Sequence, residues 1–298
     1  LDGALAAGSV SGVRIASCDV NGTNERGIHI QAADGTTLED VAVTDCTVTS
    51  PTQAGILFEA LTGGPAVFGR FQVSGCRVTD GASFGIRVLA DDVAFLESVS
   101  ITNCVVQDSN AGAAVGPGVD ITCTATGIAK VDLSRLTISG NQFDIDAADA
   151  IAISVEGLFH RGVIQGNTIN CATGSPLVIT TTTDLTIAGE GYSGDLVIAD
   201  NTMIGGAACQ LTVSQGQKLK NIAITGNVRD TSSGHGFDLD LSDASVGTGD
   251  AVYGLTISDN AFDTITGQAI RVILGQAAAA IDACSNITID RNRFNACA

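Results

Sequence analysis

Four residues set about thirty positions apart are the first that could do chemistry: His29, Glu59, Arg87 and Asp120. Two carboxylates near a guanidinium can work as general acid and base. They can also hold a hard cation such as Ca2+, while the arginine neutralises a substrate carboxylate or takes up a proton. Glu59, Arg87 and Asp120 are therefore candidate catalytic residues, and His29 with Gln31 is a candidate pair for binding substrate. A second group is His235, Asp238, Asp240 and Arg271. On an extended strand Asp238 and Asp240 point the same way, roughly 6.6 Å apart. That is near the separation of about 6.5–9.5 Å that inverting glycosidases keep between their carboxyl groups. Both groups also read as solvated ion pairs of small energetic weight.

What would position these residues is a repeat. The pattern apolar, any, apolar, any, any, Cys or Asn, any, apolar runs from Val13 to Val20 and returns around Cys46, Cys76, Cys104, Asn141, Asn167, Asn201, Asn227, Asn260 and Asn292. Successive copies lie 26 to 37 residues apart, and Gly162 and Arg229 are the exceptions at the flanking apolar positions. Ten residues after most anchors comes a short alternating strand, such as Ile28-His29-Ile30, Ile86-Arg87-Val88 or Phe237-Asp238-Leu239. After Cys104 the strand Val119-Asp120-Ile121 comes fifteen residues on, so that copy carries an insertion, with Gly116-Pro117-Gly118 expected to form one wall of a groove. Period-two alternation means a strand with one buried face. A repeat of such strands with no helical period means coils that bury their apolar faces only by stacking.

The expected fold is all-β: a right-handed parallel β-helix (solenoid) of about ten coils with three strands per coil, a rod about 48 Å long at one strand spacing per coil. Stacking then lays equivalent residues over one another, so that Arg87 sits between two carboxylates. In the middle of the stack the outward positions read Ala152, Val178 and Thr212 in the first row and Ser154, Thr180 and Ser214 in the second, a neutral stretch between two charged clusters.

The anchor row also explains most of the cysteines. There are nine, so at least one thiol has no partner in the chain. Cys18, Cys46, Cys76 and Cys104 occupy the place that Asn fills from the fifth copy on. Asn at a tight bend can take left-handed backbone geometry and bond to the coils above and below, whereas Cys there is a small apolar plug. The row favours stacked free thiols, which suit folding in a reducing compartment. Disulfides and a metal site are the alternatives, although no histidine falls near the row.

Composition narrows the function. With 32 acidic against 14 basic residues the net charge is −18, the wrong sign for nucleic acid. It also makes an anionic polymer an awkward partner unless a cation or an arginine intervenes. No apolar run reaches the roughly 18 residues that span a bilayer, so membrane insertion is not expected. Nothing resembles a linker, and residues 1–298 read as one domain. The start and the end both fall within coils without a capping helix. The expectation is a fragment of a longer chain, or ends covered by partners, a homotrimer among them. There is no phosphate loop leading into a helix, no Cys-x-x-Cys and no His pair at metal spacing. Trp is absent, so extended aromatic sugar platforms are not expected. The longer connections cluster after the alternating strand, at 61–69, 124–133, 181–194, 242–253 and 275–284, where recognition commonly resides.

The short bend with its Asn row resembles that of the pectate lyase and polygalacturonase-type β-helices, a scaffold shared with alginate-acting enzymes and bacteriophage tailspikes. The resemblance covers the whole chain as architecture and does not specify chemistry. It implies a polysaccharide partner, lying along the outward face of the alternating strand, and a protein working outside the cell, at a cell surface or on a virion. Gly234-His235-Gly236 followed by Arg271-Val272-Ile273 is similar to the Gly-His-Gly and Arg-Ile-Lys elements of polygalacturonases. The preceding coils, however, read Ser175-Pro176-Leu177 and Ala207-Ala208-Cys209 where that family has its carboxylates, and Ile273 replaces the lysine. The resemblance therefore implies a lyase or glycosidase, or equally a non-catalytic rod of a tailspike, tail fibre or adhesin.

Overall fold

The computed structural model describes residues 8–32, 36–60, 67–81, 83–90, 95–108, 116–123, 132–145, 151–181, 192–213, 218–241, 252–274 and 285–297. The described residues form three parallel sheets, visited in turn by every coil. The strand before each anchor joins a long sheet of thirteen strands, the strand after it a bend sheet of ten, and the alternating strand a face sheet of nine. Pairing is in register throughout, and one column runs Val43, Val73, Ile101, Ile138, Ile164, Ile198, Ile224, Ile257 and Ile289 through the long sheet. All of these but Ile289 are at most 2% exposed. Each coil thus completes the core of the next, as β-branched side chains stacked on a pleat should.

The anchors behave differently in the two halves. From Asn141 to Asn292 each side-chain Nδ2 donates to Oδ1 of the next Asn at 2.9–3.0 Å, for example Asn167 to Asn201 and Asn201 to Asn227. The same Oδ1 accepts the backbone N–H of the preceding anchor, and Nδ2 also reaches a carbonyl one coil back, as Asn201 does to Ile164. From Asn141 to Asn260 the amides are buried and both N–H groups are bonded, which is what burial of a polar group requires. Cys46, Cys76 and Cys104 are each 1% exposed free thiols. Each S–H points at the carbonyl two residues earlier, at 3.3–3.5 Å. Left-handed geometry, expected at the anchor, belongs instead to the residue before it. That residue has φ between 50° and 67° in all ten copies, from Ser17 through Gly75 and Gly140 to Arg291. Asn needs ordinary backbone to aim its amide along the stack. A Cβ at Gly75 would lie 2.5 Å from Asp45 Oδ1, so glycine there relieves both the handedness and the crowding.

Besides the coil with the insertion after Cys104, two more depart from the ten-residue phase. Ile153, not Ile151, pairs with Val119, and Cys209, not Leu211, pairs with Phe237. The first bend is two residues longer than usual and the second two shorter. The shorter bend is braced by Arg229 from the next coil, which is wholly buried. Its guanidinium donates to the carbonyls of Met203, Gly206, Ala207 and Asp230. Gly116-Pro117-Gly118 lines a small pocket together with Ser83, Phe84 and Gln107. It is built into the stack, with Ile86 N–H donating to Gly118 O at 2.8 Å and Gly118 N–H to Ile151 O at 2.9 Å. Residues 109–115, and most of the long connections after the face sheet, lie outside the described residues.

Candidate functional site

The face sheet carries its apolar residues inward and a double row of mostly polar residues outward. Because the inward positions are packed at full depth, the outward side chains are held on a rigid grid with one strand spacing between coils. The two register shifts change what the middle of the grid contains. In the first row Asp120 is followed by Ser154, Val178 and Gln210, and in the second Thr122 by Glu156, Thr180 and Thr212. Ala152, placed outward by the sequence, is completely buried. Ser154 moves from the second row to the first and Thr212 from the first to the second. Ser214 lies outside the described residues. The middle is therefore not neutral, since it presents Glu156. The only signal that could have shown this is the Ser-Val-Glu run after Ile153, which also alternates.

The first predicted cluster divides into two pairs. His29 Nε2 lies 3.0 Å from Glu59 Oε2, and Gln31 Nε2 donates to the same oxygen at 3.4 Å. Arg87 does not sit between Glu59 and Asp120. Its register neighbours are Leu57, which is buried, and Asp120. Glu59 faces Leu89, one step along the strand, which is why it turns to the histidine.

Asp120 is the least usual group on the face. It is 5% exposed. Arg87 Nε stands 2.9 Å from Oδ2 without the alignment of a directed hydrogen bond, and Thr122 Oγ1 is 3.3 Å from both carboxylate oxygens. The guanidinium carbon lies 4.1 Å from the centre of the Phe84 ring, which fixes the cation on its far side. Burial pushes the Asp120 carboxyl above its ordinary value, and the Arg87 charge and the hydroxyls of Thr122 and Ser154 pull it back only in part. A carboxyl moved toward neutrality beside an arginine suits proton transfer.

The second cluster is a closed pair. Arg271 Nε and Nη2 donate to Asp238 Oδ1 and Oδ2 at 2.7 and 2.5 Å, a bidentate bridge. That bridge keeps the guanidinium charged beyond its usual range. Asp240 is one step further along the same strand, level with Ile273. His235 is not part of this pair by any bond: its Nδ1 accepts the backbone N–H of Gln268 at 3.0 Å, and Ser232 Oγ donates to its carbonyl. It ties two bends together.

Among the described residues no group of three or more His, Cys, Asp or Glu side chains is arranged to hold a metal ion. Glu59 and Asp120, the sequence candidates for calcium, bond to different bases. Also among the described residues, no helix is long and apolar enough to cross a membrane.

Three parallel sheets wound as one stack define a β-solenoid with an outward polar grid. The chain belongs to the right-handed β-helix family: the family model described as a right handed beta helix region matches residues 2–191. No curated protein matches it.

Proposed function

We propose that this β-helix protein processes a polysaccharide laid along the outward face of the face sheet, with Arg87 and Asp120 at the chemical centre. The observation that carries the reading is Asp120, a buried carboxyl under-bonded by its arginine and raised in pKa, on a strand that cannot move independently of its neighbours. Proton transfer to a leaving glycosidic oxygen needs a group of that kind. The scaffold suits a long polymer because successive coils repeat similar donors and acceptors along one line. The resemblance to secreted lyases, glycosidases and tailspikes supports work outside the cell or on a virion.

A second reading is a non-catalytic recognition rod, such as part of a tailspike, tail fibre or adhesin, with a homotrimer as one assembly. The pairing of His29, Arg87 and Arg271 with acids of neighbouring coils favours it, because ready-made pairs make a stable surface as readily as a reactive one. A screen of the purified chain against polysaccharides separates the two. Cleavage that is lost in Asp120→Asn and Arg87→Ala, with far-ultraviolet circular dichroism unchanged, supports the enzyme. Binding without any cleavage supports the rod, and an unsaturated, ultraviolet-absorbing product distinguishes a lyase from a hydrolase.

A further inference from the structure

We infer that the glycan taken by this face lacks acidic groups, being a neutral or amino-bearing polymer and not a uronate or a sulfated one; this rests on the reading of the face as polysaccharide-binding. Recognition of a uronate or sulfate calls for a guanidinium or ammonium whose donors are turned toward the substrate. On the described part of the face the two arginines are already turned elsewhere. Both oxygens of Asp238 fill the edge of Arg271, and Arg87 lies with Nε on Asp120 and its flat side on Phe84. His29 is held by Glu59.

The charge count points the same way. The outward rows carry the acids Glu59, Asp120, Glu156, Asp238 and Asp240 against Arg87 and Arg271. An anionic polymer approaching the described rows meets five carboxylates against two guanidiniums that are already paired, and like charges brought together in an interface disfavour binding. The grid does offer partners for sugar hydroxyls. Carboxylates accept, the Gln31 and Gln210 amides do both, and the hydroxyls of Ser154, Thr180 and Thr212 do both, at steps of about 4.8 Å.

The chemistry is constrained as well. Elimination needs a proton made acidic by a uronate carboxyl, so a polymer without one is cut by water. The C1–O bond to the leaving sugar breaks and the water oxygen bonds to C1, keeping one proton as the new C1 hydroxyl, while the base takes the other proton and the acid gives one to the leaving oxygen.

The test is affinity electrophoresis of the purified chain through gels containing neutral glucan, galactan or mannan, chitosan, polygalacturonate, alginate or heparin, each at low and at moderate salt. Retardation by a neutral polymer or by chitosan, at least tenfold stronger than by any acidic one at low salt and with the gap narrowing as salt screens the repulsion, is the expected result. In the double variant Glu156→Gln, Asp240→Asn the acidic polymers should gain affinity severalfold relative to a neutral polymer. Tighter binding to polygalacturonate, alginate or heparin would overturn the inference and leave the polysaccharide reading standing. Binding to none of the polymers would overturn that reading itself.

Discussion

Arg87–Asp120 and Asp238–Arg271 are the same two residue types on adjacent coils of one sheet, yet they are different objects. In the second pair two directed hydrogen bonds engage both carboxylate oxygens, and the arginine side chain remains 38% exposed. In the first, the carboxylate is buried, the arginine is laid over an aromatic ring, and the contact between them is ionic but unaligned. The difference lies in what surrounds the pair. Phe84 holds Arg87 to one side so that it cannot bring its fork onto Asp120, while Arg271 approaches Asp238 edge-on. A carboxylate with both oxygens in a bidentate bridge is a structural fastener. A buried one, held by two hydroxyls and an unaligned arginine, is pushed by its burial toward the protonated form.

The contrast can be broken experimentally. The largest effect should be on cleavage: Asp120→Asn lowers it by about 100-fold or more, the scale of a lost acid or base, while Asp238→Asn leaves it within a few-fold. Equal losses in both variants, measured on the same polysaccharide, would mean the two pairs do the same job. Next comes stability. Arg87→Ala strands a buried carboxylate and should cost about 3 kcal/mol, against less than about 1 kcal/mol for Arg271→Ala, whose pair is screened by solvent. Denaturant unfolding of the two variants decides this, and a reversed order would refute the account of burial. Phe84→Leu should cost about 0.5–1 kcal/mol beyond any packing loss, and should let Arg87 re-aim at Asp120, lowering the carboxyl's pKa.

The smallest effect is the pH slope. Asp120 is raised above its ordinary value of 3.8 in the folded chain. Between that value and its folded pKa the native state binds the proton and the unfolded state does not. The stability of the wild-type chain relative to Asp120→Asn should therefore be greatest below pH 3.8 and decline as pH rises through the folded pKa. A relative stability that climbs over that range would show that Arg87 outweighs burial.

Much of this was legible in the sequence because a solenoid writes its structure as a period. The anchors, the sheet to which each strand belongs and the pairing of Arg87 with Asp120 all follow from counting. Counting fails where a bend changes length by two, because the apolar alternation survives such a slip intact. Ile151 and Ile153 are equally good inward residues, and only the neighbouring coil decides between them. That ambiguity hid Glu156. Side-chain direction is a second blind spot. Stacking alone suggests Arg87 between two acids, but its register neighbours are Leu57 and Asp120, and Phe84 sets the angle. Arg229 looked like a flaw in the apolar pattern, and its purpose appears only with the shortened bend that it braces.

The column of amides has a further meaning for how such a molecule can change length. Every link from Asn141 to Asn292 has the same chemistry on both sides, so removing one whole turn between two of them, or duplicating one, rejoins a donor to an acceptor it already matches. The join between Cys104 and Asn141 is of another kind, where a backbone N–H alone meets the amide oxygen at 2.8 Å. Growth and shrinkage by whole turns are therefore chemically silent in the second half of the rod, while at that one junction a rearrangement would have to create a new seam.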